Sequence, residues 1–352
     1  SNDKDDDSFA LAAYLPDYRV NAFVEQQLQV LESAAAAASP PPQLVTDLIL
    51  FSLQPHSKGF LGGCCLQPDH YEAIDKYRAE FQNQQQVNLW ITVGGAGRSE
   101  AFPEIFRDEK TKKRLIKSAM NLWYVAIIVL GIDLDFTPRT TTERDNYLVF
   151  LQEALDQWHA AGLKVSMTTI FHPSTRLLPQ LYQQMDRIHL MAYDMIAREG
   201  GDNNGDPYHA SLDKVAKTID ALLQPGGGLE DTPEKILLGI PAYARHLTVP
   251  SNVKTFGEIF DGVVQGSDDP SSIDWATMHS WEGYEWESEE RIQGKTQLAR
   301  ERKLGGIFFW EIGQDKVTET HPRGILIEAA AAAIRNETAA YISAASSPEG
   351  EL

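Results

Sequence analysis

Cysteine is nearly absent from this chain: its 352 residues include two, and these are the neighbours Cys64 and Cys65. Adjacent cysteines form a disulfide only with unusual local geometry, so no bridge between distant segments is expected to staple the fold. Positive charge is also scarce. Lys and Arg total 31 against 50 Asp and Glu, for a formal net charge of −19. That balance argues against nucleic acid and anionic membrane surfaces as partners, because both are engaged through basic patches; a neutral or cationic ligand is easier to accept. Long apolar runs are missing as well. None approaches the ~18 residues of a membrane-spanning helix, and no charged-then-apolar leader opens the chain, so a soluble protein without a transmembrane segment is expected. The nine histidines show no metal-ligand spacing and Cys64-Cys65 lacks a second pair, so neither a metal nor another cofactor is expected.

What is present is a large supply of core-forming residues, 43% of the chain. After an acidic, polar stretch at 1–8 that reads as disordered, short β-rich apolar runs alternate with segments of helical periodicity, which is the pattern of parallel strands joined by crossover helices. Eight such runs stand out: Phe9–Tyr14, Asp47–Leu53, Asn88–Val93, Ile127–Phe136, Leu163–Ile170, Arg187–Asp194, Lys235–Tyr243 and Gly305–Trp310. Eight units predict an α/β fold of the closed (β/α)8 TIM barrel type over residues 9–335, with 336–352 as a C-terminal tail. Helix signals agree: Thr140-Thr141-Thr142-Glu143 offers N-caps to a helix ending near Gly162, and Ser211 caps another that leads to Gly226-Gly227-Gly228. Trp90, Trp123 and Trp158 fall within strand or helix patterns and read as packing residues. The sequon Asn336-Glu337-Thr338 reads as a chance triplet.

One connection is longer than the rest. Residues 246–288 read as an aromatic-rich loop insertion carrying Trp275, Trp281, Tyr284 and Trp286. Emerging after the seventh strand, it is expected to wall or cover one side of the barrel mouth, where its aromatics either stack on the rings of a bound ligand or form a miniature core of their own.

The most informative stretch is Gly131-Ile132-Asp133-Leu134-Asp135-Phe136-Thr137-Pro138. Alternate side chains of a strand share a face, so Asp133 and Asp135 point the same way and Thr137 follows on that line. Further motifs stand at other strand ends: Val93-Gly94-Gly95 beside Thr92, Met191-Ala192-Tyr193-Asp194, Gly239-Ile240-Pro241-Ala242-Tyr243-Ala244-Arg245, and Gly305-Gly306-Ile307-Phe308-Phe309-Trp310-Glu311, with Tyr14 on the first strand. In this order the set resembles the family 18 glycoside hydrolases, the chitinases and chitinase-like lectins, and the resemblance covers nearly the whole chain. Against that family's strand motif, D-x-x-D-x-D-x-E, the first Asp is Leu130 and the proton-donating Glu is Thr137. The insertion after the seventh strand is too short for the full-size α+β domain of many members.

The resemblance implies a mechanism in which the substrate's own N-acetyl oxygen attacks the anomeric carbon, so the protein supplies an acid and holds the acetamide. It implies that Asp135 orients the acetamide with Asp133 behind it, that Tyr193 bonds the acetamide oxygen, and that Trp310 floors the sugar; Tyr14, Asp194, Tyr243 and Arg245 complete the ligand-binding set. No intact catalytic set is expected, since Leu130, Asp133, Asp135 and Thr137 form a degenerate motif. Threonine is far too weak an acid to replace the carboxyl, whose loss typically costs about 10²–10⁴ in rate. The expectation is a catalytically inactive chitinase-like protein that binds a chitooligosaccharide or another N-acetylglucosamine-containing glycan, in a secreted or extracellular setting. Two alternatives stay open: an interaction subunit with a vestigial groove and protein partners, and a slow or divergent hydrolase with a substitute acid. Glu143, the nearest following carboxylate, is expected in the first turn of a helix. Phe136, Phe171 and His172 are the side chains that would plug the mouth.

Overall fold

The computed structural model describes residues 9–35, 42–62, 65–80, 86–121, 129–170, 179–196 and 206–345. The alternating pattern folds into strands β1 (Ala10–Pro16), β2 (Asp47–Leu53), β3 (Asn88–Gly94), β4 (Gly131–Asp135), β5 (Lys164–Thr169), β6 (Arg187–Leu190) and β7 (Ile236–Pro241), and later β12 (Gly306–Trp310). These eight close a parallel barrel in the order β1-β12-β7-β6-β5-β4-β3-β2. Helices α1 (Val20–Ala35), α2 (Pro68–Ala79), α3 (Phe102–Ile105), α4 (Glu109–Met120), α5 (Thr141–Ala160), α6 (Pro179–Gln184), α7 (Leu212–Leu223), α9 (Glu289–Glu301) and α10 (Ile325–Ala345) occupy the crossovers. The fold is therefore a (β/α)8 TIM barrel.

Strand alternation divides the core in two. On β1, Ala10, Ala12 and Tyr14 join an inner cluster with Trp90, Tyr193, Tyr243 and Phe308, whereas Leu11, Ala13 and Leu15 pack outward against the helix layer. Trp158 is buried in the outer layer; Trp123 lies outside the described residues, as do Phe171, His172 and the whole of 1–8. Helix α5 begins where the cap residues predict, with the Thr140 hydroxyl accepting from the Glu143 N–H.

Residues 246–288 are not an extended loop. From Tyr243 onward the chain builds a small antiparallel sheet, β8 (Tyr243–His246), β9 (Val253–Thr255), β10 (Ser280–Trp281) and β11 (Tyr284–Glu285), in the order β10-β11-β8-β9, accompanied by helix α8 (Phe256–Gly266). The aromatics hold this unit together. Trp275 stacks on Phe260 with centroids 4.4 Å apart and meets Phe256 edge-on at 6.1 Å, and a Cβ added at Gly262 of α8 would lie 2.7 Å from the Trp281 ring. Lys254 sits over both Trp281 and Tyr284, and Trp286 is buried in the outer core. The miniature-core alternative thus describes these residues, and among the described residues none of their ring contacts reaches Tyr14, Phe51, Tyr193, Tyr243 or Trp310.

One further expectation is revised. The region 336–352 is not all tail, because α10 continues through the sequon to Ala345. Cys65 is disulfide-bonded, with a φ of 82°; Cys64 lies outside the described residues. No helix among the described residues is long and apolar enough to cross a membrane.

Candidate functional site

Strand registry brings polar residues of five strands, β1, β3, β4, β5 and β6, together beneath the C-terminal mouth. Asp133 pairs in register with Thr92 on one side and Ser166 on the other. The Thr92 hydroxyl donates to Asp133 Oδ2 at 2.9 Å, the Ser166 hydroxyl to Oδ1 at 2.7 Å, and the Tyr14 hydroxyl to Oδ2 at 2.9 Å. His189 completes the cluster, with Nδ1 3.2 Å from Asp133 Oδ1 and 2.7 Å from the Tyr14 oxygen. Burial alone would push the Asp133 carboxyl up; His189 and the Ser166 and Thr92 hydroxyls outweigh it and hold the group below the usual carboxylate range.

Asp135 is in the opposite situation. Burial first, and the neighbouring Asp133 charge second, raise its carboxyl to about 7, with Thr168 pulling part of the way back. Its strand neighbour explains two glycines. At Gly94, φ 98°, a Cβ would meet the Asp135 carbonyl oxygen at 2.5 Å, and at Gly95, φ 101°, it would strike the Phe51 ring at 2.3 Å. Only glycine allows that backbone, and it leaves room for Phe51 to lie edge-on to Trp310, centroids 4.8 Å apart, with Tyr14 at 5.4 Å from the same indole.

The remaining expected residues fall on the same mouth. Tyr193 is 8% exposed; among the described residues its hydroxyl makes no hydrogen bond, while the Asp135 and Asp133 charges both act on it. Asp194 is exposed beside it, accepting at Oδ1 from the Tyr243 hydroxyl at 2.6 Å and from Arg245 Nε and Nη2 at 3.1 and 2.6 Å. Burial raises its carboxyl, but the hydrogen-bonding and charged groups around it overcome this and bring it down to about 2. Trp310 and Asp135 are half-buried, whereas Tyr14 is buried and bonded to Asp133 and His189, so its place is behind the mouth. Leu130 packs against the inner cluster.

Thr137 lies past the end of β4, half-buried. Phe136 turns outward, packing on Phe102 at 5.1 Å and Tyr147 at 5.2 Å, and so does not plug the barrel. Glu143 accepts from the Arg139 N–H at 2.8 Å in the first turn of α5, which occupies it as a cap. Another carboxyl at the mouth is Glu311, buried and paired with Arg19 at 2.5 Å, with burial raising it to about 7 against the opposing pull of Arg19 and the Gly313 N–H.

His189, His209, Ser166, Thr168, Phe51 and Glu311 were not singled out from the sequence. Strand parity would have found some of them: Ser166 and Thr168 are polar positions alternating with Val165 and Met167, and His189 stands two before Met191. Among the described residues no group of His, Cys, Asp and Glu has a metal-binding arrangement.

A barrel that gathers its polar residues from several strand ends at one mouth has the architecture of (β/α)8 enzymes. The sequence profile of the glycosyl hydrolases family 18 matches residues 20–315, and the chain belongs to that family. Similar solved structures include a GH18 chitinase, ChiB, from the chitin utilization locus of Flavobacterium johnsoniae, 17% identical with a TM-score of 0.69 over 94% of this chain and 95% of that one. A family GH18 chitinase from Cycas revoluta, solved with allosamidin, is 20% identical with a TM-score of 0.69 over 92% and 99%. The group IV chitinase of Ostrinia furnacalis is 17% identical with a TM-score of 0.68 over 93% and 100%. These likenesses establish the fold.

Proposed function

We propose that this protein is a chitinase-like glycan binder that holds N-acetylglucosamine oligomers without cleaving them. The observation that carries the reading is Thr137, which follows Asp133 and Asp135 along the β4 line where the family's acid belongs, while Glu143 is tied into the α5 cap. A hydroxyl cannot protonate a glycosidic oxygen near neutral pH, so the step that makes the leaving group depart has no donor at that position. Ground-state contacts are a separate matter. Trp310 offers a ring face, the Tyr193 hydroxyl is free to donate, and Asp135 accepts from or donates to an acetamide according to its protonation, so affinity survives loss of transition-state stabilisation. Solved relatives from Cycas revoluta and Nicotiana tobaccum are complexes with N-acetylglucosamine oligomers, which supports that ligand class here. Membership of the family supports an extracellular setting as part of this proposal.

A second reading, a slow hydrolase, is favoured by one observation: Asp135, raised to about 7, is protonated in a fraction of molecules at neutral pH and stands at the mouth. Calorimetric titration with chitin oligomers, followed by chromatography of the same samples, separates the two. Binding with intact oligomer supports the binder, and accumulating shorter products that disappear in Asp135→Asn support the hydrolase. Absence of binding in any condition would favour an interaction scaffold.

A further inference from the structure

His209 is a buried titratable group with no part in the glycan-binding reading. It is 2% exposed, and it grips the turn after β6 at two points. The Asp194 N–H donates to His209 Nδ1 at 3.0 Å, and the Met195 N–H donates to the His209 carbonyl at 2.9 Å. Between these bonds Asp194 adopts a left-handed φ of 56°, a conformation that a residue other than glycine keeps only when its surroundings impose it. The imidazole also lies parallel to Tyr243, with centroids 5.3 Å apart and planes 23° apart, and Tyr243 is one of the two residues that hold the Asp194 carboxylate.

A backbone N–H can only donate, so Nδ1 must be the acceptor and the ring is neutral, with its proton on Nε2. In that state the Nδ1 lone pair faces Asp194 Oδ1 at 3.3 Å without bonding it, and the carboxylate is left to Tyr243 and Arg245. A proton on Nδ1 reverses both relations. It removes the acceptor for the Asp194 N–H and supplies a charged donor that competes with Tyr243 and Arg245 for Oδ1.

We propose that His209 is a positioning residue of the mouth: its neutral imidazole fixes the Asp194 turn and carboxylate for glycan binding, and protonation of the ring releases that arrangement and weakens binding. The inference rests on the glycan-binding reading. Among the described residues, the groups facing the ring are Asp194 from the β6 end, Tyr243 and Arg245 from β8, Tyr208 beside it, and Lys295 of α9, which is itself paired with Glu287. Burial, with Arg245 and Lys295, pushes the His209 pKa down against the pull of Asp194, which keeps the ring neutral until the solution is acidic.

The test uses the full chain in two arms. Histidine 15N NMR should show His209 protonated on Nε2 alone near neutral pH, titrating below the ordinary histidine range, with a midpoint that moves in Asp194→Asn. Calorimetry with a chitin tetramer should show affinity falling by about tenfold as pH drops through that midpoint, the size expected for losing one charged hydrogen-bond arrangement. His209→Asn, which keeps an acceptor but does not titrate, should bind more tightly than His209→Leu at neutral pH and lose the acid-side fall. An Nδ1-protonated tautomer, a midpoint indifferent to Asp194→Asn, or an unchanged acid-side fall in His209→Asn would each overturn the proposal. If no variant binds the tetramer at any pH, the glycan reading fails and the proposed control of binding with it, while the NMR arm still decides whether His209 holds Asp194.

Discussion

Asp133 and Asp135 share one face of β4, two residues apart, yet are driven in opposite directions: three hydroxyls and His189 keep Asp133 charged, and that charge together with burial lifts Asp135 to about 7. The pair therefore combines one fixed, buried negative charge with one carboxyl that titrates near neutrality.

The stability consequence has a defined sign. A carboxyl raised in the folded state stabilises the protein while protonated, and that contribution declines as pH rises from its unfolded value of about 4 toward 7. Asp135→Asn escapes this loss, so the variant should gain about 1–2 kcal/mol over wild type above neutrality, after allowance for water at the half-exposed carboxyl, and nothing below about pH 4. Thermal unfolding at both pH values checks it.

Trp310→Ala should weaken chitin-oligomer binding by about 1–3 kcal/mol, the range for removing a stacking aromatic. The measurement is calorimetry with folding confirmed by circular dichroism. Equal affinity in the two proteins would move the ligand away from the indole held between Phe51 and Tyr14.

Trp275→Ala probes the small sheet-and-helix unit. Its ring packs on Phe260 and Phe256 rather than on the mouth aromatics, so truncation should lower stability by about 2–4 kcal/mol and leave oligomer affinity unchanged. Urea denaturation and calorimetry report the two quantities separately. A loss of affinity at full stability would give Trp275 a part in the ligand site.

Thr137→Glu alone should restore little hydrolysis, because Leu130 still packs against the inner cluster in place of a carboxylate and Pro138 follows Thr137 directly. A discontinuous assay on a chromogenic oligomer checks this; turnover at the level of a working chitinase from the single substitution would show that Leu130 and the short turn are immaterial.

The barrel is legible because its buried strands form apolar runs set between helical segments: Asp47–Leu53 is predicted and observed with the same bounds. The sixth strand was read too long, to Asp194. Pairing stops at Leu190, and the left-handed turn at Asp194, held by His209, has no signature in a Met-Ala-Tyr-Asp string. The sheet after β7 was read as a loop because β9, β10 and β11 are two or three residues long, too short for any period to register. Asp133 and Asp135 could be found from spacing alone, but their contrasting environments could not: His189 reaches Asp133 across the barrel, and a lone histidine in a strand carries no pattern that names its partner.

The most direct test of the central claim is a time course in which the protein is saturated with a chitin hexamer and the oligomer is followed by mass spectrometry. The account predicts a complex that persists with the hexamer intact, because Thr137 offers no proton to the leaving oxygen. Conversion of the hexamer to dimers and tetramers over repeated turnovers would contradict it.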